Sequence, residues 1–342
     1  MPVEDLSKVL SAYDMEVLRI RNENYKVKKG VWWIETPEGY KILKKNSIPC
    51  DKFDFIIAAI EYLVERGIKM PAILPSKQGE KYVQVDGANY VLNEAIKGNA
   101  PSSKKRAGLE MIIKELAKFH AASVGFQAPS GSKPNDLLGT WGHKVSKKME
   151  QLNGFYEEEK AKQEHSAFGL LILTEYPLFR DIVDKALAIH HQSQYNKWSE
   201  DMKQAGCLVH QDFIDGNLIL DPTGHIYVLD PDSIAFDLPT KDIRKFLNKI
   251  MKKREGWDIS LTRDILAWYQ EENPLEAWQW QVLLPTIMYP HLFVGLMSKY
   301  YQQREASWSE DKYVKKLKHV IAIEKSKEPI IEAFNSIIDS LL

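Results

Sequence analysis

Residues 208–232 read LVHQDFIDGNLILDPTGHIYVLDPD, and this stretch decides the fold. Cys207–Val209 and Leu218–Leu220 are apolar runs, and Ile226–Leu229 is apolar and β-prone. Between the last two lies Asp221-Pro222-Thr223-Gly224, with Asp first, Pro second and Gly last, a turn sequence. Folded as a hairpin, the two runs bring Asn217 and Asp230 to the same end. Two oxygen donors then converge as a hard cation requires.

The polar residues of this stretch follow the order H-x-D-x-x-x-x-N, with a strand ending in Asp after it: His210, Asp212, Asn217, then Asp230. That order suits phosphoryl transfer. Asp212 is placed to accept the proton of an attacking hydroxyl, and Asn217 and Asp230 to hold Mg²⁺ against the phosphates of ATP. A surface hairpin that happens to be rich in Asp and Asn is the bland alternative. A lone D-x-x-x-x-N would not exclude it; the preceding His and the strand-terminal Asp argue against it.

The chain has 342 residues, too many for one small core, so two lobes are expected. Apolar residues make up 44% and charged ones 27%, an ordinary globular balance. A formal net charge of −1 lacks the basic excess of a nucleic-acid binder. Cys50 and Cys207 have no metal-like neighbours and read as two reduced thiols. The first residues carry acids early and no apolar core of a signal peptide, and Phe168–Leu173 is far too short to cross a membrane. A soluble intracellular chain without a nucleic-acid or membrane partner is expected.

Outward from the motif, the chain divides. Residues 3–20 have Val3, Leu6, Val9, Leu10 and Tyr13 at helical spacing. Strands are expected around Tyr25–Val27, Val31–Ile34, Tyr40–Lys45, Tyr82–Val85 and Tyr90–Leu92, with a helix at 51–66 closed by Gly67. Alternation puts Tyr40, Ile42 and Lys44 on one strand face, and Lys41, Leu43 and Lys45 on the other. Lys44 is the candidate to reach the α- and β-phosphates, against the reading of all three lysines as solvated charges.

Residues 94–98 are expected to link a β-rich lobe (1–93) to a helical lobe (99–342), and the linker backbone at Glu94 and Ile96 to receive the adenine edge. The Glu94 side chain is given no chemistry. Helices are expected at 102–122, 141–152, 157–164, 168–173, 176–190, 242–253, 261–270, 287–302, 312–323 and 329–341. His120 reads as a core histidine, Asp237 as a helix cap, and Asp242 and Arg244 as ties from their helix to the catalytic loop. Strands with one helix, a linker, then helices around one hairpin make an α+β, two-lobed architecture.

With these residues in hand, the chain resembles the aminoglycoside phosphotransferase and choline kinase group over about residues 20–320. Within it, the chain is most similar to CotS-type spore-coat proteins of Bacillus-like bacteria. The strings VLDPDSIAFDLPTKDIRK, EGYKILK and YVLNEAIKG carry the closer match. The resemblance implies a protein-kinase-like fold with ATP and Mg²⁺ between the lobes. It makes Lys44 the phosphate-binding lysine, Asp212 the catalytic base, and Asn217 and Asp230 the metal ligands. It also implies synthesis in the mother cell and assembly into the spore coat, with other coat proteins as partners.

Three departures from that pattern bear on activity. Asn22–Gly30 holds one glycine where a Gly-rich loop is usual. Ala58 or Ala59 stands where the helix should offer a Glu to Lys44, with Asp54 one turn early and Glu61 one turn late. Gln211 stands in place of the usual Gly. Two functions follow: a phosphotransferase acting on a hydroxyl of a small molecule, since no D-F-G…A-P-E segment for a protein acceptor is present, or a coat component that keeps the fold with weak or no turnover.

Overall fold

A computed structural model describes residues 4–26 and 28–342; Val3 and Val27, both used in the strand and helix expectations, lie outside the described residues. The elements run α1 (Ser7–Leu10), β1 (Arg19–Lys26), β2 (Lys29–Thr36), β3 (Gly39–Asn46), α2 (Cys50–Glu65), β4 (Ile73–Leu74), β5 (Val83–Val85) and β6 (Ala88–Glu94). Helices α3 (Arg106–Ser123), α4 (Trp141–Lys160), α5 (Ala167–Gln192) and α6 (Tyr195–Ala205) come next. Then follow β7 (Leu208–Val209), β8 (Leu218–Leu220), β9 (Ile226–Val228) and β10 (Ala235–Phe236). The chain ends in α7 (Thr240–Lys253), α8 (Ile259–Glu272), α9 (Ala277–Met288), α10 (His291–Tyr301), α11 (Glu310–Lys325) and α12 (Glu328–Asp339).

The small lobe is an antiparallel sheet in the order β1-β2-β3-β6-β4, with β5 on β6. Strand alternation sorts its two faces. Trp32, Ile34, Leu43 and Leu92 pack with Leu6, Val9 and Tyr13 of the N-terminal segment. Val31, Trp33, Ile42 and Lys44 face the opposite way, into a cleft against the helical lobe. The β5–β6 turn is Asp86-Gly87, both at positive φ (49° and 75°), a two-residue hairpin turn whose twist suits the strands.

The helical lobe builds its main core from α3, α7, α8, α9 and α12 around β7 and the β8–β9 hairpin, with Trp280, Tyr269 and Phe119 among its buried residues. A second cluster joins α4, α5, α10 and α11 around Phe168, Phe179 and Phe293. The expected α+β arrangement, a small sheet lobe and a mainly helical lobe, is therefore present.

Several local expectations fail for identifiable reasons. The helix expected over 3–20 is one turn, Ser7–Leu10; residues 11–18 are neither helix nor strand, and β1 begins at Arg19, paired with Glu35. Leu6, Val9 and Tyr13 pack across the sheet from this segment without a longer helix. The segments expected at 141–152 and 157–164 are one helix, α4, and those at 168–173 and 176–190 are one helix, α5, which carries Pro177 internally. The helix expected over 287–302 is instead divided before Pro290, and α9 ahead of it was not foreseen, nor was α6. The α9–α10 segment Ala277–Tyr301 is long and apolar enough to cross a membrane, and 72% of its most apolar window is buried inside the protein.

The segment after β6 is fastened to the β8–β9 hairpin. Asn99 N–H donates to Leu220 O at 3.1 Å, and Leu220 N–H returns to Asn99 O at 2.8 Å. This approach needs Gly98, whose φ is 156° and whose absent Cβ would stand 2.3 Å from Leu220 O. Gly98→Ala is expected to destabilise the protein by about 1–3 kcal/mol through strain and lost pairing. Urea denaturation checks this as a lower midpoint at unchanged slope.

Candidate active site

The β8–β9 hairpin positions two of the expected residues. Asp221 Oδ1 accepts the N–H of Thr223 (2.9 Å) and of His225 (2.9 Å), closing the turn. The register Leu218↔Val228 then sets Asn217 opposite Leu229, whose N–H donates to Asn217 O at 2.9 Å. Asp230 follows directly, held at φ 56°, a conformation that costs free energy in a non-glycine residue. Asn217 and Asp230 thus stand at one end of the hairpin.

The loop between β7 and β8 hangs on Asp242 of α7, which is 2% exposed. Its Oδ2 accepts the His210 N–H at 2.7 Å and its Oδ1 the Gln211 N–H at 2.8 Å. His120 Nε2 adds a contact at 3.3 Å, and Tyr269 hydroxyl meets His120 Nδ1 at 2.8 Å. Burial pushes the Asp242 carboxyl up from 3.8, but His120 and the His210 N–H more than offset it and hold it below that value. The His210 ring is buried, and desolvation drives its pKa down. Its Nε2 lies 3.0 Å from Leu229 O, so it carries the proton, and Nδ1 accepts the Asp212 N–H at 3.3 Å. One neutral imidazole therefore ties Asp212 to the end of β9.

Gln211 sits at φ 70°, which explains why glycine suits this position. Its Nε2 donates to Ser233 O at 2.6 Å, and Lys245 Nζ closes on its carbonyl. Asp212 itself is open to solvent. Asn217 Nδ2 donates to Asp212 Oδ2 at 3.0 Å, and Lys249 Nζ stands 3.9 Å from Oδ1. Asn217 Oδ1 and the Asp230 carboxylate remain as hard oxygen donors. A Mg²⁺ ion commonly takes one or two such protein ligands and completes its shell with phosphate and water oxygens, so this pair fits it. Among the described residues no cluster of three or more His, Cys, Asp or Glu could hold a metal without such help.

Across the cleft, Lys44 Nζ lies 3.4 Å from Asp230 Oδ1, both partly exposed. Sequence reasoning left Lys44 without an acid, and α2 indeed supplies none. Asp54 accepts the Tyr82 hydroxyl at 2.8 Å and Glu61 pairs with Lys81 at 2.6 Å. Ile56, Ile57 and Ile60 of α2 line the chamber instead. A second bridge was missed altogether. Lys29, at the β1–β2 turn, donates to Asp232 Oδ2 at 2.8 Å, and Asn46 Nδ2 donates to the same oxygen at 2.9 Å. Burial pulls the Lys29 ammonium down, but Asp232 outweighs it and holds the pKa above its ordinary value. The only signal was the lysine run where glycines are usual.

The cleft has two connected parts. One, of about 480 Å³, is walled by Val31, Trp33, Ile42, Met70, Ile219 and Leu229, with Glu94 and Ile96 at its rim. The other, of about 200 Å³, is lined by Lys26, Lys29, Lys44, Lys45, Asp230 and Asp232. An apolar chamber opens onto a lysine-rich one, with Lys44 and Asp230 in both. The Glu94 N–H is taken up by Ala72 O at 2.9 Å, and its side chain by Lys41 at 2.6 Å. Ile96 carries no backbone hydrogen bond among the described residues.

Because Asp242 organises the loop, Asp242→Asn is expected to cost about 2–4 kcal/mol, since the amide cannot accept from His120, His210 and Gln211 together. Its depressed carboxyl contributes stability that is complete above pH about 4, its unfolded value, and is lost as pH falls through the lower folded one. Wild-type unfolding free energy from pH 7 to 3 is expected to fall more steeply than that of Asp242→Asn.

The model of the family described as "Spore coat putative kinase YutH" matches residues 13–334. Spore coat protein S of Bacillus subtilis is 28% identical over 328 residues, 96% of this chain and 93% of the relative. Endospore coat-associated protein YutH of the same organism is 21% identical over 282 residues, 80% of this chain and 77% of the relative. Among solved structures, an aminoglycoside phosphotransferase from Alicyclobacillus acidocaldarius superposes with a TM-score of 0.84 at 16% identity, covering 100% of this chain and 98% of that one. Spectinomycin phosphotransferase, in complex with ADP and spectinomycin, gives 0.60 at 11% identity, covering 96% and 99%. At those identities the likeness is one of fold, and it agrees with the cleft described above. With the family model covering nearly the whole of it, the chain belongs to the spore-coat kinase-like family, CotS-type proteins on a protein-kinase-like fold.

Proposed function

We propose that this protein transfers the γ-phosphoryl group of ATP to a hydroxyl of a small molecule, as a component of the spore coat made in the mother cell. Residues 94–98 serve as the hinge between lobes 1–93 and 99–342. The observation that carries the reading is the meeting of Asp212, Asn217 and Asp230 at one end of a hairpin, with Lys44 3.4 Å from Asp230.

In this reading the adenine enters the apolar chamber, its edge meeting the Glu94 carbonyl and the Ile96 N–H, the linker groups left by the hydrogen bonds above. Lys44 takes the α- and β-phosphates. Asn217 Oδ1 and Asp230 would hold Mg²⁺, which neutralises charge on the β- and γ-phosphates. Asp212, oriented by Asn217 and Lys249, accepts the proton of the acceptor hydroxyl. The oxygen–phosphorus bond forms as the β–γ bridge breaks, and ADP leaves. Positioning and electrostatics do most of the work in such a transfer. Lys29 stands where backbone N–H groups of a Gly-rich loop would lie, so an ammonium, released from Asp232, does their task. Coat proteins are the further partners suggested by the names of the relatives.

A second reading rests on α2. With Ile56, Ile57 and Ile60 facing Lys44, no helix acid anchors that lysine. Turnover would then be slow or absent, with nucleotide binding and the fold serving coat assembly.

Mg-ATP at a hundredfold excess over its Kd is expected to stabilise the protein by about 2.7 kcal/mol, read as a rise in melting temperature. No rise at millimolar nucleotide would sink the enzymatic reading. Asp212→Asn is expected to keep that rise and lose roughly 10²–10⁴-fold in turnover on any alcohol the wild type phosphorylates. Asp230→Asn is expected to lose the Mg²⁺-dependent part of the rise, while Lys44→Met weakens nucleotide binding with or without Mg²⁺. Wild-type protein that binds Mg-ATP yet turns over no member of a broad panel of alcohols and sugars would favour the second reading.

A further inference from the structure

Arg244 was expected to tie α7 to the catalytic loop, and it does not. It points instead into a second cavity, of about 250 Å³, between α4, α7, α9 and α10. The residue is 9% exposed, and its Nε has no hydrogen-bond partner among the described residues. The Nε2 of His291, on the same wall, is likewise buried and unpartnered. To this lining Lys144, Lys148 and Lys241 add three more cationic side chains, and Thr140, Thr240, Thr286, Tyr195 and Tyr289 add hydroxyls. Its sole carboxylate, Asp237, lies 3.5 Å from Lys241 and turns its other oxygen to the Leu238 N–H. Asp237 therefore caps no helix, and among the described residues it acts on Arg244 only as a nearby charge, without an ion pair.

The other nearby acids are engaged as well. Asp242 is bound by His210, Gln211 and His120. Glu324 pairs with Lys327 at 2.5 Å and accepts the Leu292 N–H at 2.6 Å. Burial pulls Arg244 down to about 10, which still leaves it charged at neutral pH. Burial likewise lowers Lys241 and Lys148. An unpaired buried guanidinium is expensive to maintain, and an arrangement of this kind becomes favourable when an anion completes it.

We infer that this cavity binds the anionic group, a carboxylate or a phosphate, of a small molecule. The volume admits a group of amino-acid size and excludes a folded or polymeric partner. Trp141 and Tyr289, edge to face at 6.3 Å and 78°, give the ligand an apolar wall. The anion separates this ligand from the cationic aminoglycosides. Resting on the phosphotransferase reading, the cavity selects the acceptor. Helix α7 carries Lys241 at the cavity, Lys245 on the Gln211 carbonyl and Lys249 near Asp212 on consecutive turns. Eight residues of helix span about 12 Å. An acceptor with its anion between Lys241 and Arg244 and its hydroxyl toward Asp212 would be of that length at most.

The test is calorimetric titration of nucleotide-free protein with inorganic phosphate and, separately, with malonate, each against sodium chloride at equal ionic strength. Saturable one-site binding of at least one is expected in the wild type and in Asp212→Asn, and the stronger of the two tells phosphate from carboxylate. Arg244→Gln is expected to weaken it at least tenfold. The exposed-side variant Lys144→Gln and the variant Lys241→Met should weaken it severalfold, and they keep the test valid if Arg244→Gln does not fold. No saturable binding of either anion overturns the inference, as does binding undiminished in these variants. Mg-ATP stabilisation measured on the same samples separates the two ideas. An intact nucleotide response without anion binding sinks only the anion site. Anion binding without a nucleotide response leaves the site and removes its role in phosphoryl transfer.

Discussion

The site depends on one buried carboxylate. Asp242 accepts two successive backbone N–H groups, those of His210 and Gln211, and so decides the path of the loop that ends in Asp212. An anion buried to 2% exposure is tolerable only because each oxygen is occupied and His120 adds a donor. Tyr269 of α8 in turn orients His120 of α3, so three helices converge on one loop. The positive φ of Gln211 is sustained by this clamp, with Ser233 and Lys245 holding its side chain and carbonyl. The neutral His210 carries the constraint across to Leu229, beside Asp230.

Charge then links the lobes. The two acids of Asp230-Pro231-Asp232 face two lysines of the sheet, Lys44 and Lys29, with Asn46 beside them. These pairs are partly exposed, so each contributes little to stability, on the order of 1 kcal/mol or less. In the proposed phosphoryl transfer their value is positional: the ammonium groups would meet the phosphates, and the carboxylates a divalent ion. Helix α2 contributes packing alone, its isoleucines against the chamber and its acids turned to Tyr82 and Lys81.

How much of this was legible follows from the range of the interactions. The β8–β9 hairpin was readable because its turn, its apolar runs and its terminal polar residues lie within a short span of chain. The helix closed by Gly67 and the Asp86-Gly87 hairpin were readable for the same reason. The N-terminal segment misled because helical spacing of Leu6, Val9 and Tyr13 also serves a chain lying across a sheet. The continuity of α4 and of α5 was not legible, because their periodic segments are separated by short stretches that packing against α10 and α11 keeps helical.

The order of residues alone determined the chemistry available at the hairpin, since spacing within a turn and two strands is set by backbone geometry. It also determined that α2 would bring no well-placed acid to Lys44. Only the tertiary structure decided which acid Lys44 meets, that Lys29 bridges to Asp232, and that Arg244 turns from the loop into a cavity of its own. Those outcomes join residues far apart in sequence, where no periodicity relates them and the packing of whole elements sets the distance.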